Sequence, residues 1–160
     1  MRKLLPIAEK YQLPIVEDAC QSILGAIEGK NAGTWGNTGA FSLHPLKNLN
    51  VWSDGGVIVT DDQEMAEKLQ LLRNHGLVDR DTVGLMGYNS RLDTIQAIVG
   101  NWLLPQTAEI AHKRIENAAY YDRHFEKLSG IKIPPRPQGF RIVYLLYIVF
   151  AEQRVSLLQQ

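Results

Sequence analysis

Three short polar clusters in this chain of 160 residues bring together side chains that could do chemistry. The first is Glu17-Asp18-Ala19-Cys20-Gln21. The second is Phe41-Ser42-Leu43-His44-Pro45-Leu46-Lys47-Asn48, and the third is Gly87-Tyr88-Asn89-Ser90-Arg91. Between them they offer carboxylates, a hydroxyl, a primary amine and an amide beside a guanidinium. A lysine can serve as nucleophile and proton carrier because burial and neighbours lower its pKa. Each cluster also has a plain structural reading. An Asp at a strand end often only caps a helix, Ser and Lys five residues apart recur by chance, and Asn-Ser-Arg in a glycine-containing loop is commonly a turn. His44 and His75 read as structural, and Trp35, Trp52 and Trp102 as packing residues.

The elements that would position these clusters are visible in the spacing. Leu4, Leu5, Ile7, Ala8 and Tyr11 recur at helical intervals over residues 3–11. Leu13 to Val16 reads as a buried parallel strand with Glu17-Asp18 at its carboxyl end, where open α/β sheets bind ligands. Residues 28–39 carry turn chemistry suited to a hairpin. Ala40 to His44 predicts a short strand ended by Pro45, and Val57-Ile58-Val59-Thr60 predicts the clearest strand in the chain. Asp61 with Glu64, and Asp93 with Gln96, have capping-box spacing at two helix starts. The first of these helices carries Met65, Leu69 and Leu72 and stops at Asn74-His75-Gly76; residues 77–91 then read as a loop. The second carries Ile95, Ile98, Val99 and Trp102, and Pro105 should break it. Helical spacing resumes from Ile110 to Leu128 and closes at Ser129-Gly130. A Pro-rich stretch over 133–139 reads as a linker, Ile142 to Phe150 as a strand, and the last ten residues as helical.

Composition narrows the function classes. With 45% hydrophobic and 21% charged residues, the chain is expected to be one soluble α/β body. Lys plus Arg and Asp plus Glu both number 17, which gives no electrostatic case for nucleic acid or an anionic membrane as partner. The lone Cys20 excludes an internal disulfide framework or a Cys-rich zinc site and suits a reducing, cytoplasmic compartment; no metal site is expected. The apolar run Val143 to Ala151 is too short to span a bilayer as a helix, and Met1 to Pro6 lacks the apolar core of a signal peptide.

Taken jointly, the clusters are more specific than any one of them. Val16-Glu17-Asp18-Ala19-Cys20-Gln21 is followed in order by Gly33-Thr34-Trp35-Gly36, Phe41 to Asn48, Asp54-Gly55-Gly56, Arg73-Asn74-His75-Gly76 and Tyr88-Asn89-Ser90-Arg91. This series resembles the DegT/DnrJ/EryC1/StrS family of sugar aminotransferases, which depend on pyridoxal 5'-phosphate (PLP). The resemblance implies a partial large domain of the aspartate-aminotransferase (fold type I) fold, a mixed sheet flanked by helices. It makes Lys47 the catalytic lysine that forms the imine with the cofactor aldehyde and shuttles the proton. It sets Asp18 beside the ring nitrogen, to keep that nitrogen protonated. It gives Gln21 the ring oxygen, Ser42 the phosphate, and Asn89 the phosphate of a neighbouring subunit's cofactor, which implies a homodimer or larger homo-oligomer. The implied reaction takes an amino group from glutamate to a nucleotide-linked keto sugar. Lysine at 47, where some relatives carry histidine and dehydrate, argues for amino transfer, and Asp54-Gly55-Gly56 looks more like members that aminate C3 than C4.

The resemblance also implies less than half of a family member. Residues 1–130 would be part of the PLP-binding large domain, and 131–160 a linker and the truncated start of a small C-terminal domain. An N-terminal part, which in relatives supplies a Gly-Thr phosphate loop and a ring stacked on the cofactor, would be missing. Two alternatives follow. One is a non-catalytic truncated remnant that folds by oligomerising. The other is a small nucleotide-binding α/β module, which no Gly-x-Gly-x-x-Gly or P-loop run supports.

Overall fold

The computed structural model describes residues 1–157. Helix α1 (Leu5–Lys10) leads into strand β1 (Val16–Asp18). A small hairpin of β2 (Ala26–Ile27) and β3 (Lys30–Asn31) precedes strands β4 (Thr38–Ser42) and β5 (Gly56–Val59). Helices α2 (Gln63–Leu72) and α3 (Thr94–Leu103) follow; a single 3-10 turn (Leu104–Gln106) joins α3 to the long α4 (Thr107–Phe125). The chain continues through short strands β6 (Ile131–Lys132), β7 (Phe140–Arg141) and β8 (Phe150–Ala151) to α5 (Arg154–Leu157).

The principal sheet is mixed, in the order β1-β4-β5. Strand β1 runs parallel to β4, with Asp18 opposite Ala40, and β5 runs antiparallel to β4, with Ile58 opposite Ala40. The expected strand at Leu13–Val16 begins at Val16 instead, so the acidic pair lies within the ladder rather than beyond it. Nor is it buried: β1 pairs on one side only, and Val16 is 73% exposed.

Local signals were met with small shifts. The hairpin expected over 28–39 is β2-β3, turning at Glu28-Gly29. Asp62, not Asp61, caps α2, because its carboxylate is the one that reaches the Met65 N–H, at 3.0 Å. The second capping box forms as expected: Gln96 accepts from the Asp93 N–H at 3.0 Å. Pro105 lies in the 3-10 turn, where the helix is broken as its missing N–H requires.

The chain after α4 departs furthest from the sequence pattern. Ile142–Phe150 is not one strand; only Phe140–Arg141 and Phe150–Ala151 pair, with β2 and β6 respectively. Between them the Arg114 guanidinium takes the carbonyls of Tyr144 and Leu145, both at 3.2 Å, and Tyr144 has φ of 47°. A residue in the left-handed region turns the backbone out of the extended path that a ladder needs. A second anchor is Asp122, which receives Arg136 Nε at 3.1 Å, Arg136 Nη2 at 2.9 Å and the Tyr147 hydroxyl at 2.6 Å. The segment is thereby tied to α4, and β7 extends the hairpin into the order β3-β2-β7.

The buried core is small. Leu43, Leu49 and Val51 form its centre, with Ile23, Leu92 and Leu103 packed against them. Trp102 and Trp52, read from sequence as packing residues, are 66% and 74% exposed.

Candidate active site

Two parallel strands end side by side at the centre of this site. Successive side chains of β1 point to opposite faces, so Glu17 and Asp18 have different surroundings. The Glu17 carboxylate accepts the backbone N–H groups of Gly33 at 3.0 Å, Gly36 at 2.8 Å and Trp35. The turn over residues 33–36 is pressed onto β4: a Cβ on Gly39 would stand 2.1 Å from the Gly33 carbonyl oxygen. Only glycine permits that approach.

On the other face, Asp18 Oδ1 accepts the Cys20 N–H at 3.1 Å. Hydrogen bonds from the Cys20 thiol and N–H hold the Asp18 carboxyl below its ordinary range, and the positive charge of Lys47 acts in the same sense. The Cys20 thiol is in turn pushed up, first by its hydrogen bond to Asp18 and then by burial. It also meets the Ala40 carbonyl, at 3.7 Å.

Lys47 sits on a loop that the core fixes at both ends. Leu43 precedes it and Leu49 and Val51 follow it, all buried, and the Val51 N–H donates to the Leu43 carbonyl at 3.1 Å. Between them a tight turn forms: the Lys47 N–H donates to the His44 carbonyl at 2.8 Å, and the His44 N–H to Ser42 Oγ at 3.3 Å. Ser42 ends β4, so hydroxyl and amine leave the same strand end. Asn48 is 4% exposed; its Nδ2 donates to the Val143 carbonyl at 3.2 Å, while its buried Oδ1 has no hydrogen-bond partner among the described residues. A buried acceptor left empty costs free energy, and such atoms mark places where a water or ligand completes the structure.

The five residues singled out from sequence are thus not all in one place. Asp18, Ser42 and Lys47 gather at the ends of β1 and β4 and share an electrostatic environment with Cys20. Gln21 lies just beyond and lines a cavity of about 380 Å³ with Glu17, Trp35 and Arg141. Asn89 is exposed and belongs to another neighbourhood: it bridges Asn74 beyond α2, where the Arg91 guanidinium holds Asn74 Oδ1 at 3.0 Å. Sequence reasoning gave no role to Glu17 or Asn48. Glu17 had a signal, a carboxylate followed by a Gly-x-x-Gly turn whose free N–H groups need an acceptor.

Comparison with known proteins decides the family. The DegT/DnrJ/EryC1/StrS aminotransferase model matches residues 1–160. The chain belongs to this family. It is 37% identical, over 90% of its length and 39% of the relative's, to the UDP-N-acetyl-3-dehydro-alpha-D-glucosamine 3-aminotransferase of Acidithiobacillus ferrooxidans. A DegT DnrJ EryC1 StrS aminotransferase from Brucella abortus superposes with a TM-score of 0.93 at 34% identity, over 99% of this chain and 42% of that one. S. venezuelae DesV, solved in complex with a ketimine intermediate, superposes with a TM-score of 0.92 at 36% identity, over 96% and 42%. The chain therefore spans about two fifths of the relatives it matches, and its mixed sheet is part of the aminotransferase fold.

The donor set suits the family's cofactor. An acidic side chain held ionised, a primary amine and a hydroxyl stand together, and they match a protonated ring nitrogen, an aldehyde and a phosphate.

Proposed function

We propose that the chain binds PLP and serves amino transfer from glutamate to a nucleotide-linked keto-deoxysugar, at C3. The observation that carries this reading is topological: Asp18 ends β1, and the adjacent parallel strand β4 ends at Ser42 and leads into the turn that carries Lys47, whose positive charge favours the ionised Asp18 carboxylate. Bound PLP would supply an electron sink for the carbon losing its proton. Asp18 would hold a proton at the ring nitrogen, a task its hydrogen bonds from Cys20 favour by keeping it ionised. Lys47 Nζ would anchor the cofactor and move the proton, with its loop held by buried Leu43, Leu49 and Val51 so that little ordering is left for the reaction. Ser42 Oγ would donate to the phosphate, Gln21 to the ring oxygen and Asn89 to the phosphate of a second copy's cofactor. Preference for C3 is supported by Asp54-Gly55-Gly56 and by the 3-aminotransferase among the relatives. A cytoplasmic location is supported by the single cysteine. Among the described residues no helix is long and apolar enough to cross a membrane.

The test is chemical trapping. The chain is incubated with PLP, reduced with borohydride and mapped by peptide mass. One adduct on Lys47 is expected, and Lys47→Ala should keep the fold and lose it. Label on another lysine, or none, overturns the reading. A second reading, a non-catalytic chain that folds by associating with its own copies, is favoured by the apolar stripe on α3, where Ile95, Ile98 and Trp102 are all exposed. It predicts association with no Lys47 adduct.

A further inference from the structure

Strand β1 is poorly secured for an element that carries a functional carboxylate. It has three residues, pairs only with β4 among the described residues, and exposes Val16 and Asp18 to solvent. No apolar side chain of the strand is buried, so packing does not hold it. Polar latches take that role. At the start of the strand, the Ile15 N–H donates to Asn37 Oδ1 at 2.7 Å, and the Asn37 N–H returns to the Ile15 carbonyl at 2.8 Å. At its end, Glu17 collects the N–H groups of Gly33, Trp35 and Gly36. Hydrogen bonds to an ionised acceptor are about twice as strong as neutral ones. The turn they hold is itself seated on β4, where Cβ atoms on Gly33 and Gly39 would strike the Phe41 ring and the Gly33 carbonyl. Glu17 therefore joins β1 to the strand that ends in Ser42 and leads to Lys47.

We infer that Glu17 is a positioning residue: by clamping the 33–36 turn it sets where the Asp18 carboxylate stands relative to Cys20 and Lys47. Strand alternation sends its own side chain to the face opposite Asp18, where three backbone N–H groups engage the carboxylate, so it acts on Asp18 through the backbone. The assignment rests on the reading of Asp18 given above. Its test, however, is made on the full chain without cofactor.

Glu17→Gln keeps the shape and removes one of two acceptor oxygens along with the charge. Amide hydrogen exchange at Gly33, Trp35 and Gly36 should quicken about tenfold or more, as expected for losing charge-assisted bonds. The Asp18 carboxyl, followed by carbon NMR, should titrate higher, toward the ordinary value of about 3.9, because its bonds from Cys20 loosen. Loss of a nearby negative charge alone would move that midpoint down, so the sign separates positioning from simple electrostatics. Glu17→Asp keeps the charge with a shorter reach. It should fall between wild type and Glu17→Gln in both readouts, and it carries the test if the Gln variant fails to fold. Unprotected amides with the Asp18 midpoint unmoved or lowered, or amides that stay protected, would overturn the inference. Failure of PLP to label Lys47 would overturn the cofactor reading instead and leave these two measurements as they stand.

Discussion

Asp122 shows how much one side chain organises away from the candidate active site. Bonds from Arg136, and then from the Tyr147 hydroxyl, hold its carboxyl below the usual range. The same site works in reverse on Tyr147, whose hydroxyl is pushed up to about 12 by burial and by its bond to Asp122. A lowered carboxyl means that the unfolded chain binds the proton more tightly, so this part of the stability is present above about pH 3.9 and is lost as pH falls through the folded value. A raised phenol means the opposite. Its contribution is complete below pH 10 and disappears as pH climbs toward 12. Chemical denaturation of Asp122→Asn should show a loss of about 1–3 kcal/mol at neutral pH and a flatter acid limb. Tyr147→Phe should flatten the alkaline limb and soften the acid one in part, because it removes one of the bonds that lower Asp122 while the Arg136 bonds stay.

Among the elements, the 33–36 turn and β4 are in close backbone contact. The backbone of the turn occupies the space where a side chain on Gly39 would stand, and the obstacle is main chain rather than a movable side chain. Gly39→Ala should therefore cost about 1–3 kcal/mol in urea unfolding and disturb β1, which depends on the same turn. An unchanged midpoint would mean that the turn does not press on the strand. The neighbouring loop illustrates a different kind of support. Leu43 on one side of the Lys47 turn and Asn48, Leu49 and Val51 on the other are buried, so the core fixes the ends of the loop although Pro45 and Leu46 are exposed.

The whole molecule leaves much apolar surface uncovered. On α3 the residues Ile95, Ile98 and Trp102 repeat at helical spacing and are 72%, 63% and 66% exposed, although their pattern is that of a buried face. Strands β1 and β5 also end the sheet with one neighbour each. Exposed stripes of this size mark association surfaces. Sedimentation at micromolar concentrations should show self-association, and Ile98→Glu with Trp102→Glu should weaken it about tenfold or more. A strict monomer in both forms would remove the homo-oligomer from the proposed function, and with it any role of Asn89 toward a second copy.

Element types were largely legible in the residues: the capping box at Asp93-Gln96, the break at Pro105, and the strands around Phe41 and Ile58 depend on local rules that act within a few positions. The ordered series of motifs was legible for a similar reason, since chemistry limits which side chains can stand at each point. Three things were not. Whether an apolar stripe is buried depends on what packs against it, so Trp102 looked like core and is surface. Whether Ile142–Phe150 forms a ladder depends on the turn at Tyr144, whose carbonyls are held by Arg114 from some thirty residues away in sequence. The partner of Glu17 could not be chosen until the chain had folded back to bring three N–H groups to it. Periodicity and capping are properties of neighbours in the chain, while burial and long-range hydrogen bonds are properties of neighbours in space.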